Sequence, residues 1–232
     1  VTGMALVVWS APGWGRGEER FLLSSFEVRG NMILTHDEVL ALSGITIGSS
    51  LLDIDVSELE ACVAASPRVE RAQAVRALPG RVLVTLDEHM PEALIEAGPG
   101  PALEITGDGR VLPPAAMSGA VDLPVITGAA GRVEPGMTEV PVEIREALRL
   151  LRLARHVSES LWMDISEVRI APGSGLVIYT VADGAEIRVG SGALEPNDLR
   201  RLWLVLQDVR DRGLSADSID LRFKDQVVVK LS

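Results

Sequence analysis

The run Ala77-Leu78-Pro79-Gly80-Arg81-Val82-Leu83-Val84-Thr85-Leu86-Asp87-Glu88 carries the decisive pattern. From Arg81 onward, Val82, Val84 and Leu86 fall on one face of an extended chain and Leu83, Thr85 and Asp87 on the other. That period of two is what a half-buried strand requires. Upstream, Val69 to Leu78 reads as a second strand, and Pro79-Gly80 forms the tight turn between them. Further back, Thr35-His36-Asp37-Glu38 spells a capping box, with Thr35 as N-cap and Glu38 reaching back. Val39, Leu40 and Leu42 follow, and Gly44 stops the helix. Asp55-Val56-Ser57-Glu58 opens a second helix that ends at Ser66-Pro67. Phe21 to Arg29, closed by Gly30-Asn31, reads as a strand running into a turn. Residues 25–91 are therefore expected to form one β-α-α-β-β unit, with both helices on one face of a three-stranded sheet.

Beyond Pro91 the texture changes. Ala93–Glu96, Leu103–Thr106 and Arg110–Leu112 read as short strands, with Asp108-Gly109 as a hairpin turn. Leu123 to Gly128 is a short extended segment. From Pro141, the apolar residues Ile144, Leu148, Leu151 and Ala154 recur at helical spacing, with Arg145, Arg149 and Arg152 on other faces. Strands return at Ile165–Ala171, Leu176–Val181 and Ala185–Val189. A last helix, opening near Pro196 and closing at Gly213, carries the stripe Leu199, Leu202, Trp203, Leu206 and Val209. Ile219 to Ser232 alternates as one long strand. The fold class is α+β: a small β-α-α-β-β domain (25–91), then a mixed β-sheet domain with two packed helices (92–232). Residues 1–24 read as a membrane-proximal leader. Met4 to Trp9 is apolar, but Pro12, Gly13 and Arg16 stop it short of the ~20 residues a membrane helix needs. No Lys or Arg precedes that run, so it has neither a signal-peptide n-region nor a positive-inside flank. Remnant of a transmembrane helix and frayed leader both remain open readings of these residues.

Composition narrows the function. Lys plus Arg number 22 against 33 Asp plus Glu, a net charge of −11. Such a field repels nucleic acid and argues against broad adsorption to anionic lipid. Aromatics, at 3%, are too few for stacking platforms. The single cysteine, Cys62, permits no intramolecular disulfide; beside Val56, Leu59 and Val63 it reads as a small buried hydrophobe.

No residue set points to catalysis. His36, His89 and His156 are far apart in sequence, and none belongs to a metal-ligand motif. Gly173-Ser174-Gly175 lacks the flanking glycines of a nucleophile elbow and reads as a hairpin loop. Gly107-Asp108-Gly109 is a turn without a phosphate or calcium loop around it. Asp87 and Glu88, adjacent on a strand, point to opposite faces and cannot share one cleft. Catalytic, cofactor-binding and metal-binding residues are thus all expected to be none.

The order of these elements resembles a known family. Phe26-Glu27-Val28-Arg29-Gly30-Asn31 and the capped helix from Thr35 look like the opening of a POTRA domain. Ser66 to Ala72 and Val75 to Val82 look like its second helix exit and final hairpin. Asp87-Glu88-His89-Met90-Pro91 resembles the junction into the β domain of FtsQ/DivIB cell-division proteins. Asp108 to Leu112, Leu123 to Gly128 and Ile219 to Phe223 follow that domain's pattern in order. The likeness runs from about Ser25 to Leu231. It implies a single-pass protein of the cytoplasmic membrane whose outer part, at the division septum, scaffolds other divisome proteins. The implied partners are an FtsB/FtsL-like coiled-coil pair, and the implied outcome is regulation of septal peptidoglycan synthesis. Two departures stand out. The anchor is incomplete here, and Gly190-Ser191-Gly192 lacks the basic residue that enterobacterial relatives use there. Phe223, Asp225 and Leu231 fall where those relatives place an aromatic, a small polar residue and an indole, and only Phe223 is a close match.

The alternation supports the same partner mode. A final strand with unpaired N–H and C=O groups invites a partner strand. The expected partner-binding residues are Leu221, Phe223, Asp225, Val227, Val229 and Leu231, with Lys224 and Lys230 as guards against self-pairing. Two other readings compete: a POTRA-bearing module of an outer-membrane assembly or secretion protein, and a small periplasmic hydrolase. The first would call for several such units and a barrel of alternating segments; the second, for a nucleophile–base set.

Overall fold

The computed structural model describes residues 21–96, 98, 100–113, 122–129, 133–190, 194–223 and 226–231. The chain divides into two compact units, the first ending at Glu88 and the second beginning at His89. In the first, β1 (Ser25–Arg29), α1 (His36–Ser43), α2 (Val56–Ala64), β2 (Val69–Ala77) and β3 (Arg81–Glu88) follow one another. The sheet order is β1-β3-β2, with β1 parallel and β2 antiparallel to β3. The buried strand residues Phe26, Ala74, Val82, Val84 and Leu86 share one core with Val39, Leu59 and Val63 of the helices, so both helices cover one face.

Local chemistry explains the element ends. Thr35 Oγ1 accepts from the Glu38 N–H, and the Glu38 carboxylate accepts from the Thr35 N–H at 2.8 Å. Asp55 caps α2 by accepting from the N–H groups of Ser57 and Glu58. Gly30 ends β1 at φ 82°, where a Cβ would collide with the Leu86 carbonyl oxygen of β3. Only glycine lets the chain turn so close to its parallel neighbour. Cys62, expected inside, is exposed. Its position on α2 falls about a quarter-turn off the stripe of Val56, Leu59 and Val63.

The second unit is built on nine strands: β4 (Ala93–Ile95), β5 (Leu103–Ile105), β6 (Val111–Leu112), β7 (Val125–Thr127), β8 (Ile165–Ala171), β9 (Gly175–Thr180), β10 (Glu186–Val189), β11 (Ala216–Asp220) and β12 (Val228–Leu231). Their order is β12-β11-β10-β9-β8-β7-β4-β5-β6. Helices α3 (Val142–Val157), α4 (Glu159–Met163) and α5 (Pro196–Asp211) lie against this sheet. Short α4, capped by Ser158, is an addition to the two helices read from sequence; one turn leaves no periodic signal. Ile144, Leu148, Leu150 and Leu151 of α3 are fully buried, each contributing about 1.5–3 kcal/mol. They share one core with Val168, Ile178 and Ile187 of the sheet and Leu199, Leu202 and Leu206 of α5. No described helix is long and apolar enough to cross a membrane.

The long terminal strand expected over residues 219–232 is two strands. The Asp220 carboxylate accepts from the Arg222 N–H at 3.0 Å and from its guanidinium at 2.6–3.1 Å, pulling the chain out of the ladder. Gln226 N–H then donates to the Phe223 carbonyl at 3.4 Å. An alternating pattern is equally compatible with a hairpin, and local side-chain-to-backbone bonds decided the matter here.

Candidate partner-binding edge

β11 runs parallel to β10, which it reaches through the α5 crossover, and β12 folds back antiparallel on β11. The register pairs Asp220 with Val228, Ile219 with Val229 and Ser218 with Lys230, with a bulge between Ala216 and Ser218. Ile219, packed at 1% exposure, anchors this corner of the core. β12 ends the sheet order, so among the described residues it has one hydrogen-bonded neighbour. Its other edge presents main-chain N–H and C=O groups that an extended peptide can pair.

The expected partner-binding residues do not share one strand. Leu221 and Phe223 lie in the segment after β11, where Leu221 N–H still donates to the Arg188 carbonyl of β10 at 2.9 Å. Val229 and Leu231 lie on β12, and Val227 just before it. Leu221, Val227 and Val229 are partly buried against the core. Phe223 and Leu231 are exposed, at 52% and 45%. Asp225 and Lys224 lie outside the described residues, as do Ser191, Gly192, Ser232 and residues 1–20 of the leader. Lys230 Nζ lies 3.1 Å from the Asp217 carboxylate on β11.

Beside this edge the sheet carries a polar ladder that sequence reading passed over. Thr127 donates to Glu167 at 2.7 Å, and Arg169 also bonds Glu167 while stacking 4.6 Å over the Tyr179 ring. Tyr179 OH donates to Glu186, which accepts from Arg188 at 2.7 Å. The series continues to Asp220 and Arg222 on β11's end of the sheet. Burial, then the Glu186 charge, pushes the Tyr179 hydroxyl up; the Arg188 bond holds Glu186 below the usual carboxylate range. Arg222 likewise holds Asp220 down. Its signal in the sequence was the i, i+2 charge pairs Glu167/Arg169 and Glu186/Arg188, whose meaning depends on strand neighbours the sequence does not show.

The acidic pair Asp87-Glu88 is split by the strand. Asp87 faces Arg71 at 3.7 Å in solvent, while buried Glu88 accepts the N–H groups of Met32, Ile33 and Leu34 at 2.9–3.0 Å. Glu88 thus ties the loop before α1 to β3. Among the described residues no three His, Cys, Asp or Glu side chains converge to hold a metal ion.

Two families match this chain. The FtsQ-type POTRA domain matches residues 21–89. The C-terminal region of the cell division proteins FtsQ/DivIB matches residues 93–222, stopping just before Phe223 and β12. The chain is similar to the cell division protein FtsQ of Myxococcus fulvus, at 31% identity over 242 residues covering 99% of this chain and 82% of that protein. It is similar to FtsQ of an Anaeromyxobacter species at 32% identity, covering 95% of this chain and 76% of the relative. FtsQ of a Geobacter species is 27% identical, with 90% and 75% covered.

Proposed function

This chain belongs to the FtsQ/DivIB family of cell division proteins, and on that premise we propose that it is a non-enzymatic scaffold of the divisome. On this reading it sits at the septum on the outer side of the cytoplasmic membrane, tethered by a single-pass anchor. There it binds other division proteins and couples them to septal peptidoglycan synthesis. The partner that fits best is an FtsB/FtsL-like coiled-coil pair, one extended segment of which adds a strand to β12. The carrying observation is that β12 has one hydrogen-bonded neighbour among the described residues, with Phe223, in the segment between β11 and β12, exposed. Main-chain bonds along the edge supply sequence-tolerant affinity, and Phe223 supplies an anchor for the partner's apolar side chains.

Titration of the protein with an FtsB-like segment tests this. Phe223→Ala removes the aromatic anchor that the partner would bury, which costs at least about 2 kcal/mol, or thirtyfold in affinity. Asp108→Ala, in the β5–β6 turn at the far end of the sheet order, leaves affinity unchanged. Equal affinities for wild type and Phe223→Ala, with both melting alike, would rule out this edge.

A further inference from the structure

We propose that the exposed face of α3 is a second docking surface, an arginine stripe that takes an acidic helix of a partner protein. The proposal does not rest on the reading of β12. Arg145, Arg149, Arg152 and His156 recur at i, i+4, i+7 and i+11, and all four are exposed. At 1.5 Å per residue they form a line about 16 Å long, opposite the buried residues Ala147, Leu151 and Ala154.

Three observations set this line apart. First, most other arginines of the unit are spent: Arg155, Arg169, Arg188, Arg210, Arg212 and Arg222 each form an ion pair, and the exposed exception among the described residues is the isolated Arg200 of α5. Among the described residues Arg145, Arg149 and Arg152 form none, in a chain with eleven more acidic than basic groups (33 − 22). Second, two of the three are held in place by backbone. Arg149 donates to the Leu194 carbonyl at 3.2 Å and Arg152 to the Gly107 carbonyl, bonds that restrict where both side chains can go. Burial opposes the charged form of Glu92, the carboxylate that Arg152 and Arg155 both attract. Third, carboxylates flank the line: Glu143 before its start, Glu146 about a quarter-turn to its side, and Glu159 beyond its end.

Those flanking carboxylates select the partner. A broad anionic surface, whether bilayer or nucleic acid, would press on the bracketing carboxylates as well as the arginines. A helix about 10 Å wide laid along α3 meets the stripe alone. Glutamates at the same 3–4 spacing on that helix present one carboxylate to each guanidinium fork, whose geometry suits a two-oxygen acceptor.

The test uses the full chain and fluorescence anisotropy. The probe is an alanine-based helical peptide with glutamates at i, i+4, i+7 and i+11. A scrambled peptide of equal charge and phosphatidylglycerol vesicles are the other arms. The patterned peptide is expected to bind, and to lose roughly tenfold in affinity on the Arg145→Glu/Arg149→Glu double substitution, the scale of a few exposed ion pairs. Phe223→Ala is expected to leave this binding unchanged, which separates the outcome from that of the β12 edge. Arg145→Gln, whose side chain makes no bond among the described residues, repeats the test if the double variant melts early. The proposal is overturned by equal binding of the scrambled peptide, by indifference to these substitutions, or by arginine-dependent binding to vesicles without binding to the peptide.

Discussion

The Arg210 guanidinium on α5 meets the Asp164 carboxylate, at the end of α4, at 2.6 Å, and its Nε reaches Asp183 in the β9–β10 turn at 3.1 Å. Asp164 Oδ1 also accepts the Ala182 N–H at 3.1 Å. One arginine thereby joins a helix, a helix end and a hairpin turn that are remote in sequence. Its charged form is favoured by both carboxylates although burial opposes it.

Removing that arginine leaves Asp164, with its side chain at 9% exposure, as an uncompensated charge. Arg210→Met is expected to destabilise the second unit by about 2–3 kcal/mol. Thermal denaturation should show a fall of several degrees. An unchanged melting temperature would mean that Asp164 finds water or another donor.

Glu88 is the counterpart in the first unit. Its carboxylate satisfies three main-chain N–H groups between β1 and α1. Glu88→Ala strands those donors and should cost at least about 2 kcal/mol. Asp87→Ala on the outer face should stay within about 0.5 kcal/mol. Chemical denaturation of both variants checks the contrast.

The first unit should also respond to pH at α1. The bond to the Phe26 carbonyl, then that to Asp37, raises the His36 pKa above 6.5. Its stabilisation is therefore complete below that value and is lost as pH rises through the folded one. The backbone and hydroxyl bonds of Thr35 lower the Glu38 pKa below 4.5, so this contribution is present above 4.5 and disappears on further acidification. Because both groups face solvent, the effects are small. His36→Gln should flatten the neutral limb of a melting-temperature profile, and Glu38→Gln the acid limb.

On the edge strand, N–H groups of successive residues point alternately toward β11 and away from it. Val228→Pro and Val229→Pro therefore separate two roles. The proline that replaces an inward donor breaks the ladder and lowers the melting temperature. The other keeps the fold and removes only a bond offered to the partner. Both should weaken partner binding; wild-type affinity in both variants would refute strand addition.

Much of this architecture was legible in residues near one another in the chain. The period of two from Arg81 to Leu86, the capping residues Thr35 and Asp55 and the glycine stop at Gly44 act within a few residues, and the sheet and helices of the first unit follow from them. The Ile144, Leu148 and Leu151 stripe determined which side of α3 is buried and left its arginines outside. Tertiary structure alone decided the rest. It exposed Cys62, buried Glu88 against three remote N–H groups, and lined Glu167, Tyr179 and Glu186 into one ladder. It also broke the alternation from Ile219 to Leu231 into β11 and β12, so that among the described residues the outer strand pairs on one side. Period and propensity describe a residue's immediate neighbours, whereas a strand's partner, and hence which edge stays open, is set by hydrogen bonds and burial between segments far apart in the chain.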